Sequence, residues 1–251
     1  TLTGSPLERE LHFELVKIGP RSLCLKLCAG GQIGFLKLFD GADGAVPYHR
    51  EKAALHAMLD SGLVPGILAY SDELRFVLTD WIEARPVVED DPRQVGFRTG
   101  AWLAAFDAVA PSEPASGNWF SYLTKFGSGL DLSQIGSAQD MLSEIPLCGR
   151  VLSRNDAALH NYLVAPDGTL LGCDFEQARM RPRGWDYLLG FAALIERFPD
   201  RSNEVIESYS QGFAQTHRGT LIVDELNAVA RILFCARAMG GYQQQGATPW
   251  L

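Results

Sequence analysis

The feature that most constrains the fold of this chain is a hairpin pattern in its second half. Two short apolar runs, residues 162–164 and 169–173, flank residues 165–168, whose sequence is Ala-Pro-Asp-Gly. Proline presets one backbone angle of a turn, and glycine accepts the positive φ that a later turn position needs. A hairpin places its two outer ends side by side. The residues before position 162 and those after position 173 are therefore expected to lie close together.

Three polar side chains occupy those ends: Asp156 and Asn161 before the hairpin, and Asp174 after it. Their carboxylate and amide oxygens suit Mg²⁺, which proteins usually share with substrate phosphates. A further carboxylate beside such a metal can accept the proton of an attacking hydroxyl, and phosphoryl transfer needs little besides positioning and charge neutralisation. Taken singly, each residue could cap a turn or end a strand, because Asp and Asn favour such places. The set of three around one hairpin favours a shared site.

The rest of the chain divides into a strand-rich beginning and a helix-rich remainder, with a boundary near residues 81–86. Turn signals separate the first apolar runs, which predicts an antiparallel meander. Asp91 followed by Pro92 indicates the start of a long helix, since Asp caps helices and Pro fits the first turn. The pattern predicts strands at residues 11–18, 23–28, 33–39, 67–70 and 74–79, helices at 48–59, 91–110, 186–198, 203–217 and 224–239, and a loop at 111–117.

The spacing of the polar residues resembles that of the aminoglycoside phosphotransferase and choline kinase-like family, which is related to the protein kinases. The family pattern is His-Gly-Asp-x-x-x-x-Asn, a hairpin, Ile-Asp-[Trp/Phe]-x-x-Ala and a later Asp. This chain has Asp156 and Asn161 in the first motif. Residues 174–178, Asp-Phe-Glu-Gln-Ala, match the second motif, and Asp186 is the later acid. Eighteen residues separate Asp156 from Asp174, which agrees with the family spacing.

The resemblance implies an α+β, protein kinase-like fold with two lobes. A small antiparallel-sheet N-lobe at residues 1–82 would bind the nucleotide, and a mostly helical C-lobe at residues 83–251 would carry the catalytic and metal-binding loops. The implied activity is transfer of the γ-phosphoryl group of ATP, with Mg²⁺, to a hydroxyl of a small molecule. Aminoglycosides, choline or ethanolamine, homoserine and sugars are the candidate acceptors, and the fold alone does not choose among them.

The resemblance also assigns roles within the site. Asp156 would orient or deprotonate the acceptor hydroxyl. Asn161 and Asp174 would hold Mg²⁺, and Asp186 would support the catalytic loop. A cationic acceptor would suit Glu176 and other acids near the cleft.

A lysine inside an apolar run indicates a second part of the same site. Lys37 lies within residues 34–39, where an ammonium group is costly to bury without a partner. The resemblance implies that Lys37 contacts the α- and β-phosphates and that Glu51, fourteen residues on, fixes it. Two alternatives remain at this point. Lys37 could point to solvent with Glu51 as a favourable early-helix acid, or Glu10 or Glu14 could be its partner.

The nucleotide's base would meet the hinge at residues 79–82. The backbone of Asp80 and Ile82 would bind the adenine edge, so the identity of these side chains matters little. Trp81 would either line the adenine pocket or belong to the ordinary core.

Two positions depart from the family pattern. Arg154 and Asn155 replace the His-Gly that normally precedes the catalytic Asp. The loop at residues 19–22 has one glycine and a rigid proline, where relatives have two or more glycines that let bare backbone approach phosphates. Gly19 and Ser22 are the expected phosphate contacts in this loop. The sparse loop favours an alternative function, a non-catalytic kinase-like binding or regulatory protein, which the retained acidic and amide set opposes.

Composition excludes other classes. The chain of 251 residues has a formal net charge of −8 and a pI of about 5.1, which argues against a general nucleic-acid binder. This charge is compatible with a cationic or neutral small substrate. No apolar run approaches the ~20 residues of a membrane span, and the five scattered cysteines indicate reduced thiols and a cytoplasmic location. The oligomeric state is not written in the sequence.

Overall fold

Residues 11–80 form an antiparallel sheet with one helix packed beside it in the computed structural model, which describes residues 11–126, 138–156, 158–217 and 222–243. The sheet has the strand order β1-β2-β3-β5-β4, and its first three strands form the expected meander. Because β3 is the middle strand, a side chain on it has neighbours on both sides. The strands are β1 (Leu11–Ile18), β2 (Ser22–Ala29), β3 (Gln32–Phe39), β4 (Ile67–Ser71) and β5 (Phe76–Asp80).

The helix beside this sheet is α1 (Ala45–Ala57), which contacts β3, β4 and β5. It begins three residues before the predicted start, because Pro47 falls in the first turn, where its missing N–H costs nothing. Its inner face buries Tyr48, Ala54 and Leu55 together with the acidic Glu51. The expected end at residue 59 is wrong, since a 3₁₀ turn takes over at that point.

The remaining helices pack into one hydrophobic core that also includes side chains from the sheet. Asp91 caps α2 as predicted, with its side chain accepting a hydrogen bond from the Arg93 N–H at 3.0 Å, and α2 buries Trp102 and its neighbours. These helices are α2 (Pro92–Val109), α3 (Trp119–Phe126), α4 (Ala138–Glu144), α5 (Trp185–Arg197), α6 (Ser202–Thr216) and α7 (Val223–Gln243).

Helices α2 and α6 lie unusually close together. A Cβ atom at Gly100 would stand 2.1 Å from the Tyr209 carbonyl oxygen, and one at Gly212 would stand 2.1 Å from the Phe97 carbonyl oxygen. Both positions therefore require glycine, because any side chain would push the two helices apart. This close packing fixes the helical part on which the site is built.

Two small sheets complete the helical part. Strands β9, β10 and β6 form one sheet, and β8, β11 and β7 form the other. The expected loop at 111–117 contains β7, a two-residue edge strand that lacks any strand-like sequence pattern. The six strands are β6 (Arg85–Pro86), β7 (Ser112–Glu113), β8 (Arg150–Ser153), β9 (Tyr162–Val164), β10 (Leu170–Gly172) and β11 (Arg179–Pro182).

The architecture confirms the predicted α+β, kinase-like class of sheet followed by helices. The division at residue 82 stays a prediction. All five cysteines are free thiols, as expected. In the residues that the structure describes, no helix combines the length and apolarity needed to cross a bilayer.

Candidate functional site

The hairpin of β9 and β10 brings the predicted polar residues together. Its turn has the expected geometry, with Gly168 at φ 86° and the Ala165 N–H donating to the Thr169 carbonyl at 2.9 Å. At the open end, the Cys173 N–H donates to the Asn161 carbonyl at 2.9 Å. Asn161 and the residue after Cys173, Asp174, therefore lie on neighbouring segments.

Asp156 is joined directly to this pair. The Asn161 Nδ2 group donates to Asp156 Oδ2 at 2.7 Å, and the Ala158 N–H donates to Asp156 Oδ1 at 2.8 Å. Since the amide nitrogen of Asn161 faces Asp156, its amide oxygen is directed elsewhere. The three residues that sequence spacing grouped together thus form one connected set.

Lys37 reaches this set from the sheet. Its side chain is 7% exposed, and its ammonium group lies 2.6 Å from Asp174 Oδ1, 3.4 Å from Glu51 Oε2 and 3.3 Å from Glu176 Oε2. The alternative in which Lys37 points to solvent is therefore wrong, because β3 is an interior strand. Glu51 is its helical partner. Glu14 lies on the exposed strand β1, and Glu10 lies outside the described residues.

The charges of this cluster shift the protonation equilibria of its members. Burial lowers the pKa of Lys37, but its carboxylate neighbours outweigh burial and raise that pKa overall. Burial raises the pKa of Glu51 despite the nearby ammonium group. Burial also opposes ionisation of Asp174, yet the short contact with Lys37 lowers its pKa. One ammonium group facing three carboxylates leaves an excess of negative charge.

A cavity of about 400 Å³ lies between the sheet and the helical part, with the Lys37 cluster on its wall. Of the residues predicted to bind the nucleotide, the metal ion or the acceptor, only Asp156 is outside the lining, one hydrogen bond behind Asn161. Glu176, which was expected near the cleft as an acid that suits a cationic acceptor, also lines the cavity. The predicted residues in the lining are Gly19, Ser22, Lys37, Glu51, Asp80, Ile82, Asn161 and Asp174.

The hinge residues close one side of the cavity. Trp81 lines it, with the Lys26 ammonium group 4.4 Å from the centroid of the indole ring system and Phe35 as a ring neighbour at 6.5 Å. The Asp80 N–H donates to the Gly66 carbonyl at 2.9 Å and is therefore already engaged. Trp81 thus belongs to the cavity wall.

The loop at residues 19–22 forms a tight turn at another side of the cavity. The Gly19 N–H donates to the Ser22 carbonyl at 2.8 Å, which closes the turn between β1 and β2. Arg21 donates to Glu176 Oε1 at 3.4 Å, so this loop is tied to the segment that carries Asp174.

The residues that replace the family His-Gly have structural roles that the sequence analysis missed. Asn155 adopts the left-handed region at φ 54°, which favours glycine and is also open to asparagine. Its side-chain oxygen accepts hydrogen bonds from Arg181 Nε at 2.8 Å and Trp185 Nε1 at 3.1 Å. The only signal in the sequence was that Asn tolerates this backbone region better than most residues.

Arg154 is fully buried, although arginine is almost never found so. Its guanidinium carbon lies 4.3 Å from the Tyr162 ring centroid and 5.5 Å from those of Trp102 and Phe175. One Nη2 N–H donates to the Cys173 carbonyl at 3.0 Å. Arg154 thus connects the segment before Asp156 to the residue before Asp174.

Asp186 holds the same segment from the other side. Its carboxylate accepts hydrogen bonds from Ser153 Oγ at 2.8 Å, the Arg154 N–H at 2.9 Å and the Asn155 N–H at 3.0 Å. Burial raises the pKa of Asp186 in spite of these donors. Asp186 thus holds residues 153–155, the segment directly before Asp156, and its role in catalysis stays a prediction.

A five-stranded antiparallel sheet, a cavity at its border with a helical part, and a Lys-Glu-Asp cluster on the cavity wall define the protein kinase-like fold. Solved structures with this fold match nearly the whole chain. The macrolide 2'-phosphotransferase MphH from Brachybacterium faecium aligns over 94% of this chain and 86% of its own, with a TM-score of 0.65 and 16% identity.

Two further solved structures share this fold. The choline kinase LicA from Streptococcus pneumoniae aligns over 95% of this chain and 89% of its own, with a TM-score of 0.60 and 16% identity. The aminoglycoside-3'-phosphotransferase of type VIII aligns over 89% and 93%, with a TM-score of 0.54 and 15% identity. No family model and no curated protein matches the chain. The expected resemblance to aminoglycoside phosphotransferases and choline kinases is thus confirmed at the level of the fold.

Proposed function

We propose that the chain is an ATP-dependent phosphotransferase that moves the γ-phosphoryl group to a hydroxyl of a small molecule. The observation that carries the proposal is the convergence of Lys37, Asn161 and Asp174 on one cavity wall. The volume of about 400 Å³ lies in the ordinary range of small-molecule sites. Two solved structures of the same fold, LicA with AMP and spectinomycin phosphotransferase with ADP and spectinomycin, support a nucleotide as the occupant.

In this proposal Lys37 binds the α- and β-phosphates, and Glu51 holds its side chain in place. The 3.4 Å contact between their charged groups fixes an otherwise flexible lysine. The backbone at Asp80 and Ile82 meets the adenine edge, and Gly19 and Ser22 lie over the phosphates. All six residues line the cavity, which supports their assignment to one ligand.

The chemistry of the site fits Mg²⁺. Asp174 supplies a carboxylate and Asn161 an amide oxygen, and the excess negative charge around Lys37 favours a cation. No cluster of three His, Cys, Asp or Glu ligands occurs in the described part of the chain. Mg²⁺ does not require such a cluster, because it commonly uses one or two carboxylates and completes its shell with phosphates and water. When bound, the ion would neutralise phosphate charge.

Asp156 is the proposed catalytic residue. The acceptor oxygen forms a bond to the γ-phosphorus, while the bond from that phosphorus to the β,γ-bridging oxygen breaks and ADP leaves with the electron pair. The hydroxyl proton passes to the Asp156 carboxylate. The hydrogen bonds from Ala158 and Asn161 orient that carboxylate.

The proposal is tested first by binding and then by transfer. ATP with Mg²⁺ is expected to raise the melting temperature, since ligand at 100 times its Kd adds about 2.7 kcal/mol of stability. Release of ADP is then measured with a panel of hydroxylated amines, acids, sugars and antibiotics. Asp156→Asn should lower turnover about 10²- to 10⁴-fold with nucleotide binding retained.

Asp174→Asn should instead weaken the Mg²⁺-dependent part of nucleotide binding. Asp200→Asn is the matched control, because Asp200 is exposed on the short turn before α6. If no nucleotide shifts the melting temperature with any divalent cation, the proposal is wrong. Nucleotide binding without transfer to any acceptor would favour the alternative, a non-catalytic binding or regulatory protein.

A further inference from the structure

Beside the loop that carries Asp156, three arginines gather without a carboxylate partner among the described residues. Arg179 and Arg181 lie two positions apart on β11, so their side chains share one face of the strand. Arg50 lies on α1 next to Glu51, and its charge acts on Arg179. The chain has a net charge of −8, so this group of arginines is a positively charged region in an otherwise acidic protein.

The strand register places this group next to the catalytic loop. Arg179 pairs with Ser153 in the antiparallel ladder of β11 and β8, three residues before Asp156. Arg181 donates from Nε to the Asn155 side-chain oxygen at 2.8 Å, and from Nη1 to the Tyr122 hydroxyl at 2.9 Å. Both acceptors are neutral, so the positive charge of Arg181 is not compensated by them.

Arg179 is the least satisfied member of the group. Its side chain is half-buried, and its Nε–H is fully buried with no hydrogen-bond partner in the part of the chain that the structure describes. Burial lowers the pKa of Arg179, and the charges of Arg181 and Arg50 lower it further; only the Tyr122 phenol acts in the opposite direction. A buried donor beside two like charges is costly unless an anion satisfies it.

Neighbouring arginines in the same small sheet are arranged differently. Arg150 on β8 pairs with Glu113 at 2.6 Å, and Arg183 just after β11 pairs with Asp107 at 2.5 Å. Arg150 and Arg183 are thus neutralised by carboxylates, whereas Arg179 has no carboxylate partner in the part of the chain that the structure describes.

The group does not belong to the nucleotide site. None of Arg50, Arg179 and Arg181 lines the cavity that contains Lys37 and Asn161. The arginines approach the catalytic loop through Ser153 and Asn155, whereas the cavity meets it through Asn161. An anion held by the arginines would thus be bound beside the loop that carries Asp156 and outside the nucleotide cavity.

We propose that the acceptor carries an anionic group, a carboxylate or a phosphate, which Arg179, Arg181 and Arg50 bind while its hydroxyl lies at Asp156. This inference rests on the proposed phosphotransferase function. The guanidinium groups offer the paired N–H donors that suit both anions. Glu176, which favoured a cationic acceptor, faces Lys37 in the nucleotide cavity and is therefore directed to the other ligand.

The test compares acceptors that share a hydroxyl but differ in charge. Glycerate and glycerol 1-phosphate are compared with glycerol, gluconate with glucose, and choline and ethanolamine form the cationic arm. We expect kcat/KM to be at least tenfold higher for an anionic acceptor than for its neutral counterpart, and the better anion identifies the class. A preference for the neutral or cationic acceptors would overturn the inference.

Variants locate the effect. Arg179→Gln should raise KM for the anionic acceptor about 10- to 100-fold, as expected for loss of a charged hydrogen bond, and leave KM for ATP unchanged. Arg179→Lys should recover part of the loss, since it restores the charge without the paired donors. Arg150→Gln is the matched control, because its partner is Glu113 on the exposed edge. Equal effects of Arg150→Gln and Arg179→Gln would refute the assignment.

A binding measurement separates this inference from the proposed function. Inorganic phosphate and malonate are titrated calorimetrically into the protein without nucleotide, and into Arg179→Gln after its fold is checked by circular dichroism. We expect binding that is weakened at least tenfold in the variant, whether or not ATP is turned over. Equal affinity of both anions for wild type and variant would overturn the inference. In a transfer assay, phosphate should compete with the acceptor, and activation without competition would contradict the site.

Discussion

Removal of the buried ammonium group by Lys37→Met tests the central cluster most directly. Lys37 and Glu51 side chains are each 7% exposed, and their charged groups lie 3.4 Å apart. Methionine keeps most of the apolar stem, so packing changes little. The substitution leaves Glu51 without its counter-charge and Asp174 without a contact at 2.6 Å. The cost is therefore almost entirely electrostatic.

The magnitude follows from the burial of the pair. Breaking a buried ion pair by removing one partner costs about 3–5 kcal/mol. For a chain of this size, that cost lowers the melting temperature by roughly 6–20 °C. Asp174 adds less to the loss, because its side chain is 29% exposed and solvent screens it.

The stability of the Lys37→Met variant should also depend on pH, and the direction of that dependence provides a second test. Burial raises the pKa of Glu51 in the native protein even with Lys37 present, and loss of the ammonium group raises it further. A carboxyl whose native pKa lies above its unfolded value of about 4.3 stabilises the fold below that value. This contribution is lost as the pH rises through the native pKa. The variant should thus lose more stability at pH 8 than at pH 5.

Urea unfolding at both pH values provides the free energies. Lys52→Met is the control, since Lys52 on the same helix pairs with Asp72 at the surface, where such pairs contribute about 0–1 kcal/mol. The double variant Lys37→Met/Glu51→Gln should recover much of the loss, because Glu51 no longer carries an unpaired charge. If Lys37→Met equals wild type at pH 8, the electrostatic account of this cluster is refuted.

Two more outcomes are expected. Arg154→Met should change the free energy of unfolding by no more than about 1–2 kcal/mol, because it removes the cost of burying a charge together with the contacts of that charge. It should nevertheless lower turnover, since the hydrogen bond from the catalytic loop to the Cys173 carbonyl is lost. Unaltered turnover would show that this hydrogen bond is not needed. Burial raises the pKa of Cys173 to about 12, so at pH 8 its thiolate fraction is about 10⁻⁴. When the protein is treated with iodoacetamide, mass spectrometry should therefore find the label on the exposed Cys235 before Cys173. Faster labelling of Cys173 would contradict that pKa.

Local patterns predicted the parts of the fold that depend on local chemistry. The Ala-Pro-Asp-Gly turn determined the hairpin, and the hairpin determined that Asn161 and Asp174 lie side by side. Asp91 and Pro92 located the start of α2 for the same reason, since a cap acts within one turn. Helix ends differed by a few residues. The strands β6, β7, β8 and β11 were not predicted, because each is defined by pairing with a distant segment.

Long-range neighbours were harder to foresee. The sequence made Glu51 one of several possible partners of Lys37, and only the central position of β3 and the placement of α1 beside it select Glu51. The addition of Glu176 to that cluster depends on how the segment after the hairpin meets the sheet. No local sequence pattern predicts how that segment packs against the sheet.

The sequence by itself determined the hairpin and the spacing of Asp156, Asn161 and Asp174, because a turn and the strands beside it are set by residues close together in the chain. The tertiary structure alone decided that Arg154 is buried among aromatic rings and that Arg50 lies close enough to Arg179 for its charge to act there. The rings around Arg154 come from three separate segments, and Arg50 and Arg179 are more than 100 residues apart. The free energies of burial and of charge proximity are therefore fixed only when those segments pack together.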